Sequence, residues 1–199
     1  VAFPACARAA AVLAAASIGC AASAQDLTGF PPPVESQAAV FAGRHVDNVW
    51  EDAFLRPGQL EWGDAGMVGI AYGRNWQIGA SRFSWGYELQ TVSQFGSQQH
   101  LEFNAPVTIR YHVTPRVPFF RSLAFGLGPS LATEVPEYEV ETRGDSQRLL
   151  AYWLLEAEFG RPDWRNTIFT RLHHRSGAFG SVANEGSSNV ITWGLRHRW

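Results

Sequence analysis

From residue 36 onward the chain alternates. In the stretch 101–113 every odd position is apolar or aromatic: Leu101, Phe103, Ala105, Val107, Ile109, Tyr111 and Val113. The even positions are Glu102, Asn104, Pro106, Thr108, Arg110 and His112. A period of two sustained over this length is a long β-strand with one greasy and one mostly polar face. Pro106 lacks a backbone donor, so a bulge or a local break in the ladder is expected there. The pattern recurs. Leu123, Phe125, Leu127, Pro129 and Leu131 oppose Ala124, Gly126, Gly128 and Ser130. Trp85, Tyr87 and Leu89 oppose Glu88 and Gln90; Val68, Ile70 and Tyr72 oppose Gly69, Ala71 and Gly73. Near the end, Ile191, Trp193, Leu195, His197 and Trp199 oppose Thr192, Gly194, Arg196 and Arg198. In 149–159 the alternation about Glu156 and Glu158 is blurred by Leu150, Tyr152 and Leu154. Eight strands are predicted, at 36–48, 65–76, 82–95, 99–113, 119–134, 146–160, 165–176 and 188–199.

Which face points inward decides the fold class. An eight-stranded barrel encloses only enough space for side chains. Small residues and ion pairs fit that space better than Trp, Tyr and Phe from every strand. The greasy face therefore points out, and what lies outside must be lipid. The expected fold is all-β, an eight-stranded antiparallel transmembrane β-barrel spanning 36–199. The rival is a soluble lipocalin-like barrel with an apolar interior. Against it stands Trp199, an aromatic closing the last strand, as in many bacterial outer-membrane barrels. With both strand termini periplasmic, 77–81, 114–118 and 161–164 become short turns. The longer connections 49–64, 135–145 and 177–187 become external loops, and 96–98 is a short exception.

The start of the chain reads differently. Arg8, an apolar run from Ala9 to Ile18, and Ala22-Ser23-Ala24 form a signal peptide over 1–24, cleaved after Ala24. The apolar run is too short to span a bilayer. A lipoprotein anchored at Cys20 is the rival, and Ser17 stands where a large aliphatic is usual. Residues 25–35, with Pro31-Pro32-Pro33, form an extended leader. Removal of the signal takes Cys6 and Cys20 with it, which excludes both a disulfide framework and a thiolate nucleophile. It also leaves 15 arginines against 18 acids, with no lysine. This near-neutral balance excludes a nucleic-acid binder, which would show a basic stripe.

The seventh predicted strand ends Arg171-Leu-His-His-Arg-Ser-Gly177. Ile168, Thr170, Leu172, His174 and Ser176 share one parity, and Phe169, Arg171, His173 and Arg175 the other. The arginines belong inside, so His174 and Ser176 point outward, side by side near the outer end of the strand. A neutral imidazole beside a hydroxyl is the pair needed for an activated nucleophile. The inward Glu88, Glu102, Glu156 and Glu158 with Arg110, Arg196 and Arg198 read as ion pairs filling the barrel. His112 and His197 have no metal-ligand spacing, no phosphate loop is found, and no cofactor is required.

A His-x-Ser at the end of the penultimate strand of a short, signal-bearing barrel resembles the PagL-type outer-membrane lipid A deacylases (acyloxyacyl hydrolases). The resemblance implies an enzyme that hydrolyses the ester-linked acyl chain at the 3-position of lipid A. It implies His174 as general base and Ser176 as nucleophile. Two departures stand out. The family commonly has Asn after the Ser, where this chain has Gly177. It also has an acid on the final strand, at a place that falls on Asn189. Asn189 shares the parity of Ile191 and Trp193 and so faces outward beside His174. Glu185, in the loop, is the alternative acid, and Asn189 is favoured on geometry. Backbone N–H groups near Gly177 and Ala178 are the expected oxyanion donors. The expected partners are lipid A or lipopolysaccharide and the outer membrane, with Arg56 and Arg143 as candidate contacts to sugar phosphates. The competing reading is a non-catalytic outer-membrane barrel serving adhesion or membrane integrity.

Overall fold

The alternating segments pair into one closed antiparallel sheet in a computed structural model that describes residues 31–113, 117, 119–178, 181–182 and 186–199. The strands are β1 (Val34–Val46), β2 (Trp62–Gln77), β3 (Phe83–Gly96), β4 (Leu101–Asn104), β5 (Val107–His112), β6 (Phe120–Ala132), β7 (Leu149–Phe159), β8 (Asn166–Ser176) and β9 (Ser187–Arg198). β4 and β5 are two halves of one stave, parted at Ala105–Pro106, so the barrel has eight staves. The interruption is a break and not a bulge. Gln90 faces Asn104 and Tyr87 faces Val107, with equal numbers of residues between them on both sides. The Pro106 carbonyl still accepts the Glu88 N–H at 3.0 Å. Pairing of β1 with both β2 and β9 closes the ring. The proposed signal peptide and the first part of the leader lie outside the described residues.

Greasy side chains face out. Trp85, Phe103 and Trp193 are 49%, 44% and 53% exposed, and Ile70, Val107, Ile168 and Leu195 are exposed with them. Such a band is stable only against hydrocarbon, which makes this an outer-membrane barrel. The lipocalin-like arrangement is excluded by the same observation. Among the described residues no helix is long and apolar enough to cross a membrane, and the strands do the crossing.

The lumen holds the charges. Glu156 accepts from three guanidinium groups: Arg110 at 2.8 Å, Arg171 at 2.7 Å and Arg196 at 2.6 Å. Glu158 binds Arg110 (2.9 Å) and Arg198, and Glu88 binds Arg171 (2.8 Å). All are buried. The outer wall faces hydrocarbon, where an ionised group is costly, so the interior is the only place these charges can go. Two large rings depart from the expected sorting. Phe41 and Phe169 point into the lumen, where Gly69 and Gly194 make room. A Cβ at either glycine would come within 2.4 Å or 2.3 Å of a ring carbon. Guanidinium groups lie over both rings: Arg171 at 5.4 Å from Phe41, and Arg196 at 4.6 Å from Phe169. The blurred alternation of β7 has a similar cause. Leu150, Tyr152 and Leu154 are inward, and Tyr152 packs on His173 at 4.5 Å.

Connections 47–61, 97–100, 133–148 and 177–186 leave one end of the barrel, the loop end. Connections 78–82, 113–119 and 160–165 leave the other; apart from the short 97–100, the loop-end connections are the longer ones. A one-turn helix, α1 (Asp52–Leu55), lies in the 47–61 connection, and at the loop end a second short helix, α2 (Glu137–Arg143), stoppers the lumen. Its Glu139 is buried and accepts from Arg175 Nη1 (2.9 Å), Ser188 Oγ (2.7 Å) and Ser146 Oγ (2.5 Å).

Glu156→Ala removes the carboxylate shared by three buried arginines and leaves the lumen one negative charge short. It is expected to lower the unfolding free energy by about 3–5 kcal/mol, read from urea titrations in lipid vesicles. Leu195→Ala, on the lipid face, should cost less. Equal effects would contradict this account of the lumen.

Candidate functional site

Near the loop end, β7, β8 and β9 carry a polar row on the outer wall. Cross-strand register sets His174 of β8 beside Asn189 of β9 and beside Trp153 of β7. Val46 of β1 pairs with Asn189 on its far side. Although alternation sends them outward, His174 and Asn189 are only 5% and 2% exposed. Aromatic cover explains this. The Trp153 ring lies over the His174 imidazole (centroids 4.6 Å apart, planes at 36°), and Trp50, from 47–61, meets Trp153 edge-on at 5.6 Å.

The hydrogen bonds determine the state of the imidazole. Asn189 Oδ1 lies 2.6 Å from His174 Nδ1, and Asn189 Nδ2 donates to the Asn48 carbonyl at 2.8 Å. A backbone carbonyl only accepts, so the amide end facing it must be the NH2. The other end, facing the ring, is then the oxygen, and it accepts from Nδ1–H. The proton sits on Nδ1 and the lone pair on Nε2, the form a general base requires. An amide turned the other way would donate to Nδ1 and select the wrong tautomer.

Ser176 is half-buried on the same face as His174, two residues further along β8, and pairs with Ser187 and Ala151. The two side chains are neighbours about 7 Å apart along the strand and are not hydrogen-bonded to each other. Such bonds are commonly long before substrate arrives. Beyond Ser176 the chain turns tightly. Ala178 has φ +52, a left-handed conformation unusual for a residue with a Cβ. The turn brings its N–H back toward Ser176 Oγ, at 3.4 Å.

Of the residues singled out in the sequence, His174, Asn189 and Ser176 share one patch, with the Ala178 N–H at its edge. Gly177 differs from expectation: its N–H donates to the Gly186 carbonyl at 3.1 Å and is not free to bind an oxyanion. The strand-like closure of the loop after β8 takes that donor. Glu185 lies outside the described residues. Arg143 donates to the Asp47 carbonyl (3.0 Å) of the neighbouring 47–61 loop, and Arg56 lies 4.0 Å from Asp52 of its own loop. His173, Arg171 and Arg175 face the lumen, with His173 Nε2 2.8 Å from Glu102. Sequence reasoning missed the Asn48 carbonyl, because a backbone group leaves no mark on the residue type. It also missed Trp153, which needs the β7–β8 register.

No protein-family model matches the chain, and no curated protein matches it in sequence. Solved structures do. The chain is similar to the outer membrane enzyme PagL, at 11% identity and a TM-score of 0.52, over 79% of this chain and 97% of that one. It is similar to Neisserial surface protein A at 10% identity and a TM-score of 0.49, over 83% and 97%. It is also similar to Ail of Yersinia pestis, solved with the heparin analogue sucrose octasulfate, at 12% and 0.44, over 83% and 98%. At these identities the likeness to PagL establishes the fold, an outer-membrane barrel.

The aromatic cover makes a direct prediction. In detergent micelles His174 should react slowly with diethyl pyrocarbonate, by peptide mass mapping, and Trp153→Ala should speed that reaction severalfold. An unchanged rate would mean that the ring does not shield the imidazole.

Proposed function

We propose that the barrel is an outer-membrane serine esterase that removes an ester-linked acyl chain from lipid A. The observation that carries this reading is the outward row Asn48 carbonyl–Asn189–His174, with Ser176 on the same wall. It sets an Nδ1-protonated imidazole, covered by the Trp153 ring, and a half-buried hydroxyl on the outer wall of the barrel. The fold likeness to PagL, described as an outer membrane enzyme, supports it.

In this reading the acyl carbonyl enters between His174 and Ser176. Ser176 Oγ attacks the carbonyl carbon while His174 Nε2 takes its proton. Negative charge gathers on the former carbonyl oxygen, near the Ala178 N–H. Collapse of the tetrahedral intermediate breaks the ester C–O bond. His174 returns its proton to the departing sugar oxygen, leaving an acyl group on Ser176. Water, deprotonated by His174, then attacks the acyl-enzyme; the Ser176 Oγ–acyl bond breaks, His174 returns the proton to Ser176 Oγ, and the fatty acid is released. An ester suits the site because an alkoxide leaves more readily than an amide nitrogen, and among the described residues no further activating group faces the pair. Asn189 orients the ring but gives the imidazolium no opposing charge. The turnover expected is therefore lower than with a carboxylate in its place.

A second reading, a barrel without catalysis, draws on the unmade Ser176–His174 bond and on the tryptophan over the imidazole. The two readings part in a single experiment. Overexpression of the wild type should remove one acyl chain from the lipid A mass spectrum. Ser176→Ala and His174→Ala should each abolish that change, with rate losses of at least about 1,000-fold in purified protein. Identical spectra from wild type and Ser176→Ala would overturn the esterase.

A further inference from the structure

We propose that Tyr138 and Asp47 are positioning residues for this site. Together they form a latch that holds the Asn48 carbonyl against Asn189 and so keeps the amide oxygen, not the NH2, on His174. The proposal rests on the esterase reading and adds to it the device that makes an asparagine serviceable there.

The physical need comes first. A carboxylate offers an acceptor at either oxygen and orients a histidine whichever way it turns. An amide has one acceptor end, and a half-turn replaces it with a donor. An asparagine in this role therefore needs a second partner that tolerates only one orientation. Here that partner is the Asn48 carbonyl, which belongs to a loop and not to the barrel wall. Its place has to be fixed by something else.

The loop is tied down around that carbonyl. The Asp47 N–H donates to the Glu61 carbonyl (2.9 Å), and Asn48 Oδ1 accepts the Glu61 N–H (2.6 Å). Those bonds join the two ends of the loop to each other. The tie to the rest of the molecule comes from α2. The Tyr138 hydroxyl donates to the Asp47 carboxylate, and Arg143 Nη2 to the Asp47 carbonyl at 3.0 Å. Burial and the Asp47 carboxylate push the Tyr138 phenol well above its ordinary value, so the hydroxyl remains a donor. α2 is in turn anchored in the lumen through Glu139 and Arg175, and Arg175 is the residue between His174 and Ser176. The Tyr138 ring is held edge-on to His45, 4.5 Å away. The stopper inside the barrel and the hydrogen-bonded row outside it are thus one connected structure.

A carboxylate at position 189 would face the Asn48 carbonyl, acceptor against acceptor, where the NH2 now donates. The latch therefore favours an amide and works against an acid, and this sets the sign of the test. The full chain is refolded in micelles, with folding checked by heat-modifiable gel migration. Two quantities are read: the imidazole 15N shifts of His174, assigned against His174→Gln, and deacylation of purified lipid A. Tyr138→Phe should convert a single Nδ1–H tautomer into a mixture and lower kcat about tenfold, with KM unchanged. Gly63→Ala should do the same from another strand, since its Cβ would lie 2.3 Å from the Tyr138 hydroxyl. In an Asn189→Asp background, adding Tyr138→Phe should leave kcat unchanged or raise it. An unchanged tautomer in both Tyr138→Phe and Gly63→Ala would overturn the proposal. So would an equal loss of kcat with and without Asn189→Asp, the mark of a merely structural role. If the wild type does not deacylate lipid A, the esterase reading fails, and the tautomer measurement alone decides the latch.

Discussion

An ionised side chain has no tolerable place in hydrocarbon, and an eight-stranded barrel has no room for water in bulk. Those two limits fix almost everything else here. Arg44, Asp64 and Arg74, nearer strand ends, are exposed, but within the apolar band the strands send their carboxylates and guanidinium groups inward, where they neutralise one another at close range. Glu156 does so with three arginines, and the neighbouring pairs of Glu88, Glu102 and Glu158 extend the network along the axis. The guanidinium groups of Arg171 and Arg196, already paired with carboxylates, also lie over the rings of Phe41 and Phe169, which are inside against the general sorting.

The same limits locate the candidate site. Polar side chains can face outward only where the strands leave the apolar band, and only if their hydrogen bonds are met without water. His174 and Asn189 satisfy both conditions. They sit toward the loop end, they bond to each other, and a backbone carbonyl and two tryptophans close the patch. Ser176 stands at its edge, half-buried, beside a turn that aims a backbone donor at its oxygen. Under the proposed esterase reading, such a site would take a substrate that already lies in the membrane and need not draw it into a cavity.

How much of this was legible in the sequence follows from the physics of strands. A period of two reports directly which side chains share a face, so the staves, the inside-out sorting and the common parity of His174, Ser176 and Asn189 could all be read. The Pro106 interruption could be read as well, because a missing N–H has a residue name. Strand limits were less exact at the loop end, where hydrogen bonding outlasts alternation: the second strand starts at Trp62, ahead of its expected start at 65. The inward Leu150, Tyr152 and Leu154 were ambiguous because a lumen also needs filling. The stopper helix, the Asn48 carbonyl and the loss of the Gly177 N–H to Gly186 could not be read at all. They depend on how separate loops meet, and alternation carries no information about that.

The central claim is that a serine on the outer wall of this barrel is made nucleophilic by the histidine two residues before it. Labelling of the refolded protein with a fluorophosphonate, followed by peptide mass spectrometry, tests that claim without any assumption about substrate. The account predicts a phosphonylated Ser176, with labelling lost in His174→Ala. A wild-type protein that stays unlabelled, or that labels equally well without His174, would contradict it.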